Sequence, residues 1–177
     1  MYIWIGCKLP EKFEQEIRSF CLVRNQQVGL DTAAFSLPQH ISLKISFETS
    51  REEEILEDLT QFASAQAPFS VRINGIEQMG NILWMTVEEN INLQKLHKAL
   101  DTRLKSRFEV PQHEFDICFQ FHSTLFIDSD REKIAQMKAL LTDYPFPQLL
   151  MVDALILGVS ETGRPGTYRV VRKIGLI

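Results

Sequence analysis

The sequence predicts an α+β fold built on antiparallel sheets, and three observations carry that expectation. Apolar residues alternate along several short runs and recur at helical spacing along others. Tight-turn signals join neighbouring strand-like runs, which makes those strands antiparallel. A histidine-bearing strand followed by a helix occurs once in each half of the chain, with the two histidines 82 positions apart. The 177 residues are 45% hydrophobic, enough for one domain over residues 1–177 or two small lobes sharing an interface.

Residues 1–8 read as a first strand, closed by Pro10. Residues 11–24 follow with Phe13, Ile17 and Phe20 or Cys21 on one helical face. Gly29 and Asp31 break that pattern, and after Pro38 residues 40–47 alternate as a strand. Ser50-Arg51-Glu52-Glu53 has the form of a capping box, so a helix is expected to about Ala65 with Ile55, Leu59 and Phe62 inward. Residues 69–76 and 82–88 flank Gly80-Asn81, a hairpin signal. Asn92 is the expected cap of a helix carrying Leu93, Leu96, Leu100 and Leu104 along one face. Residues 115–127 read as one or two strands, and Asp128 or Ser129 as the cap of a helix to about Leu141. Residues 149–160 are strand-like, Gly163-Arg164-Pro165-Gly166 is a turn, and Thr167–Ile174 is a last strand.

Composition narrows the functional classes. The net charge of −4 and pI of about 5.6 argue against a non-specific nucleic-acid coat, which would be basic. Mean hydropathy is −0.09 and no apolar run reaches the roughly 18 residues of a membrane span. The first residues lack the basic start of a signal peptide, so a cytoplasmic location is expected. Cys7, Cys21 and Cys118 form no CxxC and are expected to be buried free thiols.

The chemistry is concentrated in His40-Ile41-Ser42-Leu43 and His122-Ser123-Thr124-Leu125. Side chains at i and i+2 of a strand share a face, so each segment presents an imidazole beside a hydroxyl. Histidine titrates near neutral pH and can take or give a proton, a contribution of on the order of 10²–10⁴-fold per transfer. The hydroxyls can donate to phosphate oxygens where charge builds. Two such pairs hold a phosphate between two proton-transfer groups with no cofactor and no metal. Lys44, at i+4 from His40, shares its face if the strand is regular, where it either attracts a phosphate or is solvated. Phe126 stands at the equivalent place in the second strand, where it either stacks on a base or joins the core. His97, beside the leucine stripe, and His113, in a polar turn, are expected at the surface. Arg164, Arg169, Arg172 and Lys173 make a basic C-terminal stretch that either holds a flanking phosphate or is solvated.

The paired tetrapeptides resemble the signature of the two-histidine (2H) phosphoesterase superfamily, in particular its bacterial 2′-5′ RNA ligase-like (LigT-like) and cyclic nucleotide phosphodiesterase members. The spacer Ser123 is polar where that family often has an apolar residue. Ile3–Pro10, Val71–Val87 and the run from Leu155 to Tyr168 are similar to its first strand, central hairpin and closing strands. The resemblance implies two pseudo-symmetric lobes, each an antiparallel sheet with helices on its outer face, flanking a central cleft. It implies His40 and His122 as an acid–base pair, with Ser42 and Thr124 holding the phosphate. It implies metal-independent hydrolysis of 2′,3′-cyclic phosphates to 2′-phosphates, or 2′-5′ ligation in reverse, with cleavage of 2′-5′ oligonucleotides as the alternative. A small nucleotide or an RNA 3′ end is the expected partner, met by a monomer. A non-catalytic module that holds an RNA end or a nucleotide is the reading from a different class.

Overall fold

A computed structural model describes residues 1–117 and 119–177. Among the described residues eight strands form two four-stranded antiparallel sheets. The first contains β1 (Tyr2–Lys8), β2 (His40–Glu48), β7 (Ala154–Ser160) and β8 (Arg169–Gly175) in the order β2-β1-β7-β8. The second contains β3 (Phe69–Met79), β4 (Ile82–Val87), β5 (His122–Ile127) and β6 (Gln148–Val152) in the order β5-β4-β3-β6. Each histidine strand is therefore the edge of its sheet, and the two edges lie against each other.

The helices follow from apolar stripes. α1 (Glu11–Asn25) buries Phe13, Ile17 and Cys21, and α2 (Glu52–Ala63) buries Ile55, Leu59 and Phe62. α3 (Ile91–Phe108) buries Leu93, Leu96, Leu100 and Leu104. α2 packs on β7 and β8, α3 on β2, and α5 (Arg131–Leu140) on β3 and β4. The apolar faces of both sheets and the helices close one continuous core, from Ile3 and Ile5 through Leu83 and Met85 to Leu157.

Local chemistry moved several boundaries. Asn90, not Asn92, caps α3, its side chain accepting from the Asn92 and Leu93 N–H groups, and Asp130 caps α5 in the same way. The capping box at Ser50 does not form: Thr49 Oγ1 accepts from the Arg51 N–H and α2 starts without a side-chain cap. Residues 115–127 are not continuous strand, because Glu114–Ile117 forms a short helix, α4, before β5. The run 149–160 divides at Asp153 into β6 and β7, which belong to different sheets. Cys7 and Cys21 are buried free thiols, and burial raises both above the usual thiol range, Cys21 to about 12; the expectation for Cys118 lies outside the described residues.

Candidate active site

The two motifs are built alike. On β2, His40 and Ser42 are half-buried on one face while Ile41 and Leu43 point into the core. On β5, His122 and Thr124 alternate in the same way with buried Ser123 and Leu125. His40 Nδ1 lies 2.7 Å from the Pro38 carbonyl, and His122 Nδ1 lies 2.8 Å from the Gln120 carbonyl. A carbonyl only accepts, so each Nδ1 carries the proton and donates it to the residue two positions upstream. Each Nε2 is left with its lone pair, ready to take or return a proton.

Each ring also rests on a tryptophan from the neighbouring strand. Trp4 of β1 stacks on His40 with centroids 4.3 Å apart, and Trp84 of β4 lies 4.1 Å from His122 at a tilt of 37°. In the first lobe two glycines make room for this. A Cβ on Gly6 would stand 2.9 Å from the Trp4 ring, and one on Gly158 only 2.4 Å from Trp4 Nε1. The indole therefore lies flat across β1 and β7. Burial pushes the His40 imidazole down to about 4; the Pro38 carbonyl pulls upward and the His122 charge adds to the depression. Burial also lowers His122, against the upward pull of the Gln120 carbonyl.

One hydrogen bond ties the motif segments together across the lobes. Ser123 Oγ donates to Gln39 Oε1 at 2.9 Å, with both residues buried, and the Gln39 carbonyl accepts from the Leu9 N–H. The polar spacer of the second motif thus contacts the residue that precedes the first histidine.

Two sequence-predicted site residues are not brought to the histidines. Lys44 is 1% exposed, with Nζ 2.5 Å from both Asp101 of α3 and Asp116 of α4. The cause is a bulge: Gly6 pairs with Ser42 but Ile5 pairs with Lys44, so β2 carries an extra residue and the two-residue alternation ends there. Phe126 is fully buried, edge-on to Phe35 at 5.1 Å, a core residue rather than a base platform. A similar bulge precedes it, since Trp84 pairs with Thr124 and Leu83 with Phe126. His97 is not a surface residue either: its Nδ1 is 2.7 Å from the Leu43 carbonyl, and its ring packs on Phe119 and Phe121. His113 is exposed, as expected. Arg169, Arg172 and Lys173 lie on β8, at the opposite edge of the sheet from His40, and Arg164 lies in the exposed turn before it.

The cation beside His40 is instead Lys8, its direct partner across the β1–β2 ladder and hence on the same face. Its Nζ donates to the Leu9 carbonyl at 3.3 Å and lies 3.7 Å from Glu14. Lys8, Gln39, Trp4, Trp84 and the glycines under Trp4 were missed from sequence. One signal was available for the tryptophans: the chain has only two, placed 36 and 38 positions before the two histidines.

Duplicated sheets that meet at two histidine strands define a protein of the two-histidine phosphoesterase class. The family model of the 2′-5′ RNA ligase superfamily matches residues 9–164, and the chain belongs to that superfamily. No curated protein matches the sequence. Among solved structures the fold is shared with TT0787 of Thermus thermophilus (TM-score 0.67, 19% identity, covering 99% of this chain and 98% of that one). It is also shared with E. coli LigT complexed with 3′-AMP (TM-score 0.61, 16% identity, 98% and 96%) and with Kluyveromyces marxianus Usb1 (TM-score 0.52, 11% identity, 99% and 98%). Among the described residues no helix is long and apolar enough to cross a membrane.

Proposed function

We propose that the protein is a phosphodiesterase that opens 2′,3′-cyclic phosphates of nucleotides or RNA 3′ ends to 2′-phosphates. The observation that carries this reading is the matched pair of imidazoles, each with Nδ1 committed to a backbone carbonyl and a hydroxyl two residues on along the same face. One Nε2 takes a proton from water as its oxygen attacks phosphorus. The other, protonated, gives its proton to O3′ as the P–O3′ bond breaks, and O2′ keeps the phosphate. Ser42 and Thr124 donate to the non-bridging oxygens, and Lys8 adds positive charge on the His40 side. The depressed pKa values keep the proton-accepting ring neutral at pH 7. The negative charge of a bound phosphate draws the other ring back towards its protonated form. Run backwards, the same groups join a cyclic phosphate to a hydroxyl by a 2′-5′ linkage. LigT has been crystallised with 3′-AMP and Usb1 with uridine monophosphate, which supports a nucleotide as the ligand of this fold.

The test is hydrolysis of 2′,3′-cyclic AMP, and of a short RNA ending in a 2′,3′-cyclic phosphate, with EDTA present. The expected result is a 2′-phosphate product from wild type and a loss of at least about 10²-fold in His40→Ala and in His122→Ala. Turnover that survives both substitutions refutes the mechanism. Intact cyclic substrates alongside cleaved 2′-5′ oligonucleotides would move the reaction to that linkage.

A further inference from the structure

Beside His122 the surface sinks into a recess of about 180 Å³ lined by Trp84, Glu88, Glu89, Gln94, Phe119 and Phe121. Two half-buried phenylalanines give it an aromatic wall, and Gln94 and two carboxylates stand at its polar side. Trp84, at its floor, is 4% exposed and its Nε1–H has no hydrogen-bond partner among the described residues. No lysine or arginine lines the recess among the described residues. Its carboxylates stand without a lysine or arginine, whereas on the His40 side Lys8 faces Glu14 at 3.7 Å.

That polarity sorts the parts of a nucleotide. A phosphate is drawn to the histidines and Lys8 and is repelled by Glu88 and Glu89. A base carries no charge, stacks on aromatic rings, and is read along its edge by side-chain donors and acceptors. The four base edges then differ. A carboxylate only accepts, through two oxygens, and needs two adjacent N–H donors. Guanine alone offers them, at N1 and N2, with O6 next to them to accept from an amide such as that of Gln94. Adenine and cytosine place a ring-nitrogen lone pair beside their amino group, and uracil flanks its single N–H with two carbonyls. Glu88 is shared with Arg72 at 3.7 Å and Asn74 at 3.4 Å, whereas Glu89 has no ion-pair partner among the described residues.

We infer that this recess is a guanine subsite, with Glu89 accepting from N1–H and N2–H2 and Gln94 donating to O6. This rests on the phosphodiesterase reading for the position of the phosphate and names the nucleotide that reading leaves open. Binding of 3′-GMP, 3′-IMP and 3′-UMP to wild type, Glu89→Gln and Gln94→Ala is measured by calorimetry, which needs no turnover. Both substituted residues are exposed, so the variants fold. The expected result is 3′-GMP about ten-fold tighter than 3′-UMP, as for a charge-assisted hydrogen bond at an open site. 3′-IMP, which lacks the N2 amino group, falls between them, and Glu89→Gln brings 3′-GMP down to 3′-UMP. Equal affinities in wild type, a guanine preference that survives Glu89→Gln, or no binding of any of the three overturns the assignment. A guanine preference in binding with no hydrolysis of 2′,3′-cyclic GMP leaves the subsite standing and sinks the hydrolytic reading alone.

Discussion

Replacing Lys44 with methionine removes a buried charge while keeping an unbranched side chain of similar length, and the structure sets the size of the loss. Lys44 Nζ bridges Asp101 Oδ1 and Asp116 Oδ2, each at 2.5 Å, and reaches the Pro111 carbonyl at 3.4 Å. The Asp116 side chain is 0% exposed and that of Asp101 14%. Without the ammonium, Asp116 Oδ2 keeps only the His113 N–H at 2.8 Å among the described residues, where Oδ1 already lacks a partner. Asp101 can turn to water; Asp116 cannot. Removing one partner of a buried pair costs about 3–5 kcal/mol, most of it from the charge left behind. With Asp101 relieved, the lower half of that range is expected, about 3–4 kcal/mol. For a chain of this length each kcal/mol lowers the melting temperature by about 2–4 °C, so Lys44→Met should melt roughly 6–16 °C early. Urea denaturation at pH 7 gives the free energy, and adding Asp116→Asn should restore at least half of it because the stranded charge is gone. A loss under about 1 kcal/mol, or a double variant no more stable than the single one, would refute the argument.

Three further expectations follow from the site. Gly158→Ala drives a Cβ to 2.4 Å from Trp4 Nε1, so the indole must leave its seat under His40; a loss of about 1–3 kcal/mol, a changed tryptophan fluorescence spectrum and lower activity are expected, and an unchanged spectrum and melt would count against the packing. Ser123→Ala strands the buried Gln39 Oε1 and should cost about 1–3 kcal/mol in denaturant titration, with activity falling in the folded variant because the motif segments lose their bridge. His40 has an ordinary pKa of 6.5 in the unfolded chain and about 4 in the fold, so below pH 6.5 the unfolded state binds the extra proton. Stability is full above that pH and falls towards pH 4, by on the order of 3 kcal/mol, with His122 acting in the same direction. Urea midpoints at pH 7 and 4.5 measure this slope, and His40→Phe should flatten it; an equal slope in that variant would show that other groups carry it.

What was legible in the sequence is what depends on local period and residue chemistry. The alternation of His40, Ile41, Ser42 and Leu43 predicts its own facing, and the leucine spacing in α3 predicts its buried stripe. What failed depends on registration between strands or on which of several competent residues wins. The alternation that placed Lys44 beside His40 holds only until the bulge, and nothing in the one-dimensional pattern marks that point. His97 looks polar on a helix until the Leu43 carbonyl of the edge strand β2 is brought to its Nδ1. Asn90 and Asn92 are equally good caps by type, and the Asn90 side chain gains a further bond to the Ser70 carbonyl from β3, a contact no local reading contains. The tryptophans under the imidazoles belong to neighbouring strands, and pairing alone brings them there.

The position of the histidines at sheet edges explains why the spacer of the second motif is polar. A central strand has its backbone groups paired on both sides and cannot meet another sheet edge to edge, whereas an edge leaves one side free. β2 and β5 are in contact across the lobes, so the separation of the two rings depends on that contact and not on either sheet alone. An apolar contact there is tolerant of sliding, because burial is non-directional. A buried hydroxyl-to-amide hydrogen bond is directional and leaves an unpaired acceptor if the lobes shift. Ser123 and Gln39, each next to a catalytic candidate, convert a slippery interface into a fixed one. The two proton-transfer groups of the proposed mechanism are held in register by a residue pair that takes no part in the chemistry.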